Sequence, residues 1–178
     1  MQKLKNQELG RPDLIAYQQV KKLPVVLVLD NVRSALNIGS IFRTADAFRV
    51  EKILLCGITA QPPHKEIAKT ALGATESVRW EYFADTLEAL LALRQDGYRL
   101  YALEQVRHSI SLEDFEPGGE KTAVVLGHEM DGVSQAAIDQ CDACLEIRQE
   151  GTKHSLNVAV CAGIVCWELH KKLSPLHP

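Results

Sequence analysis

The chain has 178 residues, a formal net charge of −3, and 46% hydrophobic against 24% charged residues. That size fits one domain with a sizeable core, and no apolar run approaches the roughly 18 residues of a membrane span, which argues against a membrane protein. The opening MQKLKNQELGRPD lacks a signal core, and five cysteines without one argue against a disulfide framework, so the expected location is cytoplasmic.

Charge is unevenly spread. In residues 1–24, Lys3, Lys5, Arg11, Lys21 and Lys22 face only Glu8 and Asp13, and Arg33, Arg43 and Arg49 follow. This stretch reads either as a site for a polyanion or as a solvated basic face. The expected organisation is a short basic extension over 1–24 and a single domain over 25–178. Residues 13–22 predict a helix with Leu14, Ile15, Tyr17 and Val20 as apolar contacts, ended by Pro24. Val25 to Leu29 is a continuous apolar run, as in a strand covered on both faces. Asn37 reads as the cap of an amphipathic helix over 38–48, with Ile38, Ile41, Phe42, Ala45 and Phe48 on one face and Gly39, Arg43 and Asp46 opposite.

Ile53 to Leu55 reads as a second strand, 66–72 as a short helix ended by Gly73, and 78–83 as extended. Asp85 is placed to cap a helix over 86–95 that Gly97 closes. Strands over 98–103 and 122–126 flank a polar loop. The glycine-bearing loop 127–132 then leads to a helix over 134–140, with Ser134 as its cap, and Cys144 to Ile147 forms the last strand. From Ile147 to Trp167 a polar lead-in passes through Ser155-Leu156-Asn157 into an apolar helix with hardly a polar break. Such a helix is expected to be buried on nearly all sides, with polar groups and free N–H groups at its tip.

Strands and helices alternate from end to end, which predicts an α/β fold with a mainly parallel sheet and helices on both faces. Ligands of such sheets bind beyond the carboxyl ends of the strands, where loops 30–37, 127–132 and 148–155 are the candidates. Cys141 and Cys144 form a CxxC, but no second CxxC or HxxxH completes a zinc site, so reduced thiols and no metal are expected. Gly127 to Gly132 lacks the Lys-Ser/Thr of a phosphate-binding loop, and no GxGxxG exists. Taken singly, these features are also compatible with a tight turn, a solvated arginine and ordinary helix caps.

In order, however, LDNVRSALNIGSIFRTADAF, VVLGHEMDGVS and SLNVAVCAGIV resemble the three motifs of one family, the SpoU-like (TrmH-type) branch of the SPOUT superfamily of knotted RNA methyltransferases. The likeness runs from about Pro24 to Leu169 and includes KTALGATESVRWEYF at 69–83. It implies an α/β knot, in which the C-terminal segment threads a deep trefoil. It implies S-adenosylmethionine as methyl donor, with Leu103, Gly127, Ile147 and Leu156 at cofactor positions. Asn37, Arg43, Glu129, Ser155 and Asn157 fall on the catalytic positions, with Arg43 essential. A guanidinium is essentially never deprotonated, so a phosphate and ribose clamp suits Arg43 at least as well as a base role. Asn37 and Asn157 would hold Arg43 and the loops, while Glu129 would orient Arg43 or bind the donor's amino group. His128 and His154 are either solvated loop histidines or helpers in proton removal.

The chain departs from the family where Arg148 replaces a common proline, Arg49 a frequent glycine and Arg79 a common proline; added arginines near the site could meet RNA phosphate. The function expected from the resemblance is methyl transfer to a ribose 2′-OH of tRNA or rRNA by a homodimer joined through the knot region. The alternatives are a non-catalytic RNA-binding protein of the same fold and a SPOUT-type base methyltransferase. Residues 1–24 are expected to be the only extension, without a separate N-terminal RNA-binding domain.

Overall fold

The structure, a computed structural model, describes residues 1–174. A 3-10 turn (Asn6–Leu9) and α1 (Leu14–Gln19) precede β1 (Leu23–Asp30), α2 (Ala35–Ala47), β2 (Val50–Cys56), α3 (Lys65–Ala71), α4 (Ala74–Ser77) and β3 (Arg79–Phe83). Then come α5 (Thr86–Gln95), β4 (Arg99–Leu103), β5 (Ile110–Ser111), β6 (Thr122–Leu126), α6 (Gln135–Ile138), β7 (Ala143–Glu146) and α7 (Val158–Leu173). The seven strands form one sheet in the order β3-β2-β1-β6-β4-β7-β5, and every pair is parallel.

A parallel sheet has helices on both faces because each crossover must return the chain over the sheet. β1 shows the consequence. Val25, Leu27 and Leu29 enter the core beneath α2, α3 and α7, while Val26 and Val28 enter the core beneath α5 and α6. Each such side chain contributes about 1.5–3 kcal/mol on burial, so the centre of the sheet anchors the fold. At its carboxyl end Asp30 is 1% exposed, and its carboxylate accepts from Thr86 Oγ1 at 2.6 Å, Asn31 Nδ2 at 2.9 Å and Ser134 N–H at 2.9 Å. That cluster fixes where the chain turns towards α2.

Several local expectations need correction. The cap of α2 is Ser34, whose Oγ accepts from Asn37 N–H at 3.3 Å; the helix starts three residues earlier and releases the Asn37 side chain for other partners. Gly39 is buried, not solvent-facing, because α2 and α3 touch there: a Cβ would lie 2.3 Å from Ile67 O and 2.1 Å from Thr70 Oγ1. In α1 only Tyr17 is buried, its hydroxyl donating to Asp46 O at 2.7 Å, while Ile15 remains 76% exposed. Ser134 makes no side-chain cap bond; the Asp30 carboxylate does the holding. The polar loop before residue 118 contains β5, too short to leave a periodic signal.

Arg49 has φ +55°, in the left-handed region that glycine enters without a Cβ penalty, which is a physical reason for glycine being frequent there. α7 is covered on one side only within a single chain. Val158, Ala162, Val165, Cys166 and Leu169 are buried, but Val160 is 50% and Trp167 54% exposed, and Leu156 ahead of the helix is 37% exposed. At helical spacing these form an apolar stripe on one side of the chain.

Candidate functional site

The C-terminal ends of β4, β6 and β7 lie side by side in the sheet. The loops leaving them enclose a cleft of about 670 Å³. Leu103, Gly127, Ile147 and Leu156, the four expected cofactor residues, all line it, as do Glu129, Ser155 and Asn157. Leu103, Leu126, Leu145 and Ile147 supply an apolar floor, and Glu104, Glu129, Asp131 and Glu146 an acidic rim; no Lys or Arg is among the lining residues.

The loop after β6 owes its shape to its glycines. His128 and Gly132 exchange backbone hydrogen bonds at 3.0 and 2.9 Å, closing a tight turn in which Gly132 has φ +71°. A Cβ on Gly127 would sit 2.1 Å from Gly132 C and 2.2 Å from Val133 N, so the two limbs approach too closely for any other residue. His128 Nδ1 faces Met130 N–H at 3.2 Å and Asp131 N–H at 3.3 Å, so that ring shapes the turn. His154 is exposed and contributes its carbonyl, which accepts from Gln105 Nε2 at 2.9 Å.

The turn delivers Glu129 to the loop after β1. Its Oε2 accepts from Arg33 N–H at 2.9 Å, and its Oε1 accepts from Ser34 N–H and Asn37 Nδ2, both at 2.9 Å. Burial alone would raise the Glu129 carboxyl, but the bonds from Arg33, Asn37 and Ser34 hold it below its ordinary value of 4.5. Asn37 Oδ1 in turn accepts from Asn157 Nδ2 at 3.1 Å, which fixes the orientation of both amides. Asn157 Oδ1 caps α7, accepting from Ala159 N–H at 2.9 Å and Val160 N–H at 3.3 Å. One hydrogen-bonded chain, Glu129–Asn37–Asn157, thus ties together three loops that lie 92 and 120 residues apart in sequence.

Arg43 lies elsewhere. It is exposed and borders a separate groove of about 470 Å³ with Ser40, Thr44, Phe48, Lys69 and Thr70. Neither Glu129 nor either asparagine bonds it, in contrast to the expectation that the asparagines hold it and to one of the two roles expected of Glu129: six residues separate Arg43 from Asn37 along α2, and the relay's polar atoms are engaged with backbone amides and with one another. Arg148 is engaged with acids, 3.0 Å from Glu113 and 3.7 Å from Asp114. Cys141 and Cys144 are free thiols; burial pushes Cys141 up to about 12, which leaves it unreactive as a nucleophile.

Sequence reasoning missed Glu104 and Gln105. Both follow Leu103 directly at the carboxyl end of β4, which was the available signal. Glu104 Oε2 accepts from Val133 N–H at 3.0 Å, and Gln105 reaches the third loop through His154, so the two residues fasten loop 104–109 to both of its neighbours.

Known proteins share this fold. A Staphylococcus saprophyticus protein named for the TrmH family of tRNA/rRNA methyltransferases is 30% identical over 162 residues, covering 89% of this chain and 63% of its own. The chain therefore spans a little under two thirds of that relative. A solved rRNA methyltransferase of Sinorhizobium meliloti with bound AdoMet superposes with a TM-score of 0.80 at 25% identity, over 89% of this chain and 61% of that one. A structure described for 2-OH methylation of C/U34 on tRNA superposes with a TM-score of 0.73 at 24% identity, over 84% of this chain and 96% of that one. The SpoU rRNA Methylase family matches residues 24–167, spanning all three motif loops and the whole sheet, and the chain belongs to it.

Proposed function

We propose that this protein transfers the methyl group of S-adenosylmethionine to a ribose 2′-hydroxyl of tRNA or rRNA. The observation that carries the reading is the Glu129–Asn37–Asn157 relay, which holds the three family motifs together at the mouth of one cleft. The cleft suits the donor chemically: the apolar floor fits an adenine ring, and the acidic rim without Lys or Arg suits a ligand bearing a sulfonium and an ammonium better than a phosphorylated nucleotide. Leu103, Gly127, Ile147 and Leu156 would hold it, with Ser155 at the same wall. When bound, the donor supplies an electrophilic methyl group.

The chain's own task is then orientation, since an in-line displacement gains most from holding the acceptor oxygen collinear with the methyl carbon and sulfur. Asn157 and Ser155 border the cleft where the acceptor would enter, and the relay keeps the loop after β1 against it. Arg43, with Lys69 across its groove, would clamp an RNA phosphate through its planar fork. The working form is a homodimer in this reading, supported by the exposed Leu156, Val160 and Trp167 stripe. Trp167 packs edge-on against Phe48, with centroids 6.1 Å apart, and Phe48 borders the Arg43 groove. Pairing along that stripe would carry the Arg43 groove of one subunit towards its partner's cleft. The deep knot, the division into a basic segment over 1–24 and one catalytic unit over 25–178, and a cytoplasmic site of action belong to the same proposal. No described helix is long and apolar enough to cross a membrane.

Two measurements test this. Calorimetry with S-adenosylmethionine should give saturable binding, and none at millimolar donor would overturn the enzyme reading in favour of an RNA-binding role. Nucleoside analysis of RNA treated with protein and donor should find a 2′-O-methylribose; a methylated base would assign the chain to base modification.

A further inference from the structure

We infer that Glu104 is the donor-binding residue that recognises the ribose hydroxyls of the methyl donor's nucleoside, an inference that rests on the donor reading above. Glu104 stands at the end of β4, next to Leu103 on the floor of the cleft. Its carboxylate is fixed at both oxygens: Oε1 accepts from Gln105 N–H at 2.8 Å and Oε2 from Val133 N–H at 3.0 Å. Gly132 makes room for it, since a Cβ there would lie 2.2 Å from Oε2.

Each carboxylate oxygen has two acceptor sites, so one amide apiece leaves one open on each. The other acids of the rim are differently placed. Glu129 is taken up by three donors from the far loop, Glu146 accepts from Ser109, and the Asp131 side chain is 85% exposed. Glu104 is therefore the rim carboxylate held by one backbone amide at each oxygen, with one acceptor site left on each, in a cleft lined by no Lys or Arg. A carboxylate only accepts, so its partner must bring donors, and two open acceptors side by side match a vicinal diol. An ammonium could also meet a single carboxylate, so the ligands used in the test separate the two.

The test is calorimetry on the full chain with S-adenosylmethionine, 5′-methylthioadenosine, which keeps the ribose and lacks the ammonium, and the 2′,3′-dideoxy form of the latter. In the wild type the dideoxy ligand should bind roughly tenfold or more weakly than 5′-methylthioadenosine, the effect of losing hydrogen bonds to a charged group. In Glu104→Ala that ratio should fall to near one. A loop-fastening role alone would weaken both nucleosides by the same factor and keep the ratio, which would overturn the inference. Loss of affinity for S-adenosylmethionine with 5′-methylthioadenosine unaffected would overturn it in favour of ammonium binding. If Glu104→Ala does not fold, Glu104→Gln keeps the shape with a single acceptor oxygen, and the ratio should still fall at least threefold. A wild type that binds neither S-adenosylmethionine nor 5′-methylthioadenosine would overturn the donor reading itself and this inference with it; binding with an unchanged ratio overturns this inference alone.

Discussion

Removing the Glu129 carboxylate tests the relay directly. Glu129→Ala deletes three acceptor contacts at once, from Arg33 N–H, Ser34 N–H and Asn37 Nδ2. The Arg33 amide is exposed and exchanges its partner for water at little cost, whereas the other two bonds are partly buried. Counting those at about 1 kcal/mol each gives about 2 kcal/mol, which for a domain of this size lowers Tm by roughly 4–8 °C. Glu129→Gln keeps one acceptor oxygen. With its amide turned to the exposed Arg33 side it retains the bonds from Ser34 and Asn37, so its Tm should fall by roughly 2 °C or less. The pH dependence has a fixed sign. The folded-state pKa of Glu129 lies below its ordinary 4.5, so its contribution is complete above that value and is lost as pH falls through the lower folded-state value. Thermal melts should therefore show a wild-type-to-Ala gap that is full at neutral pH and narrows progressively as pH falls below the ordinary value of 4.5. Equal Tm values at pH 7, or a gap indifferent to acid, would refute the relay as a fastening of the three loops.

Arg43→Ala should leave S-adenosylmethionine affinity nearly unchanged by calorimetry while methyl transfer falls by orders of magnitude, since Arg43 lies outside the cleft; equal loss of both would make it a structural residue. Asn157→Ala removes a cap with two N–H partners and should cost about 1 kcal/mol in denaturant melts, with a larger loss of methyl transfer because the link to Asn37 goes too. Gly127→Ala forces a Cβ to within 2.1 Å of the opposite limb of its turn, so calorimetry should show donor affinity falling sharply even in preparations that remain folded by circular dichroism. Trp167→Glu places a charge on the exposed stripe of α7, and sedimentation should show it shifting dimer to monomer; an unaltered dimer would locate the contact elsewhere.

Much of this protein was legible along the chain because it is written in local patterns. Val25 to Leu29 has the continuous apolar character of a strand covered on both faces, and both faces are covered. The three loops that bear the motifs were identified from their position after strands, and seven of the nine expected site residues line one cleft. Those features depend on neighbours within a few residues, or on a family's fixed order of motifs. What the sequence could not decide was pairing at a distance. Glu129 was read as orienting Arg43 or binding the donor's amino group, and the fold sets its carboxylate against Arg33, Ser34 and Asn37, because the turn closed by His128 and Gly132 aims it at the loop after β1. Gly39 looked like a solvent-face residue until α3 was laid across it. The apolar helix α7 looked buried all round, yet within one chain it leaves Val160 and Trp167 in solvent. Periodicity reports how apolar a face is, and only tertiary structure says whether this chain or another molecule covers it.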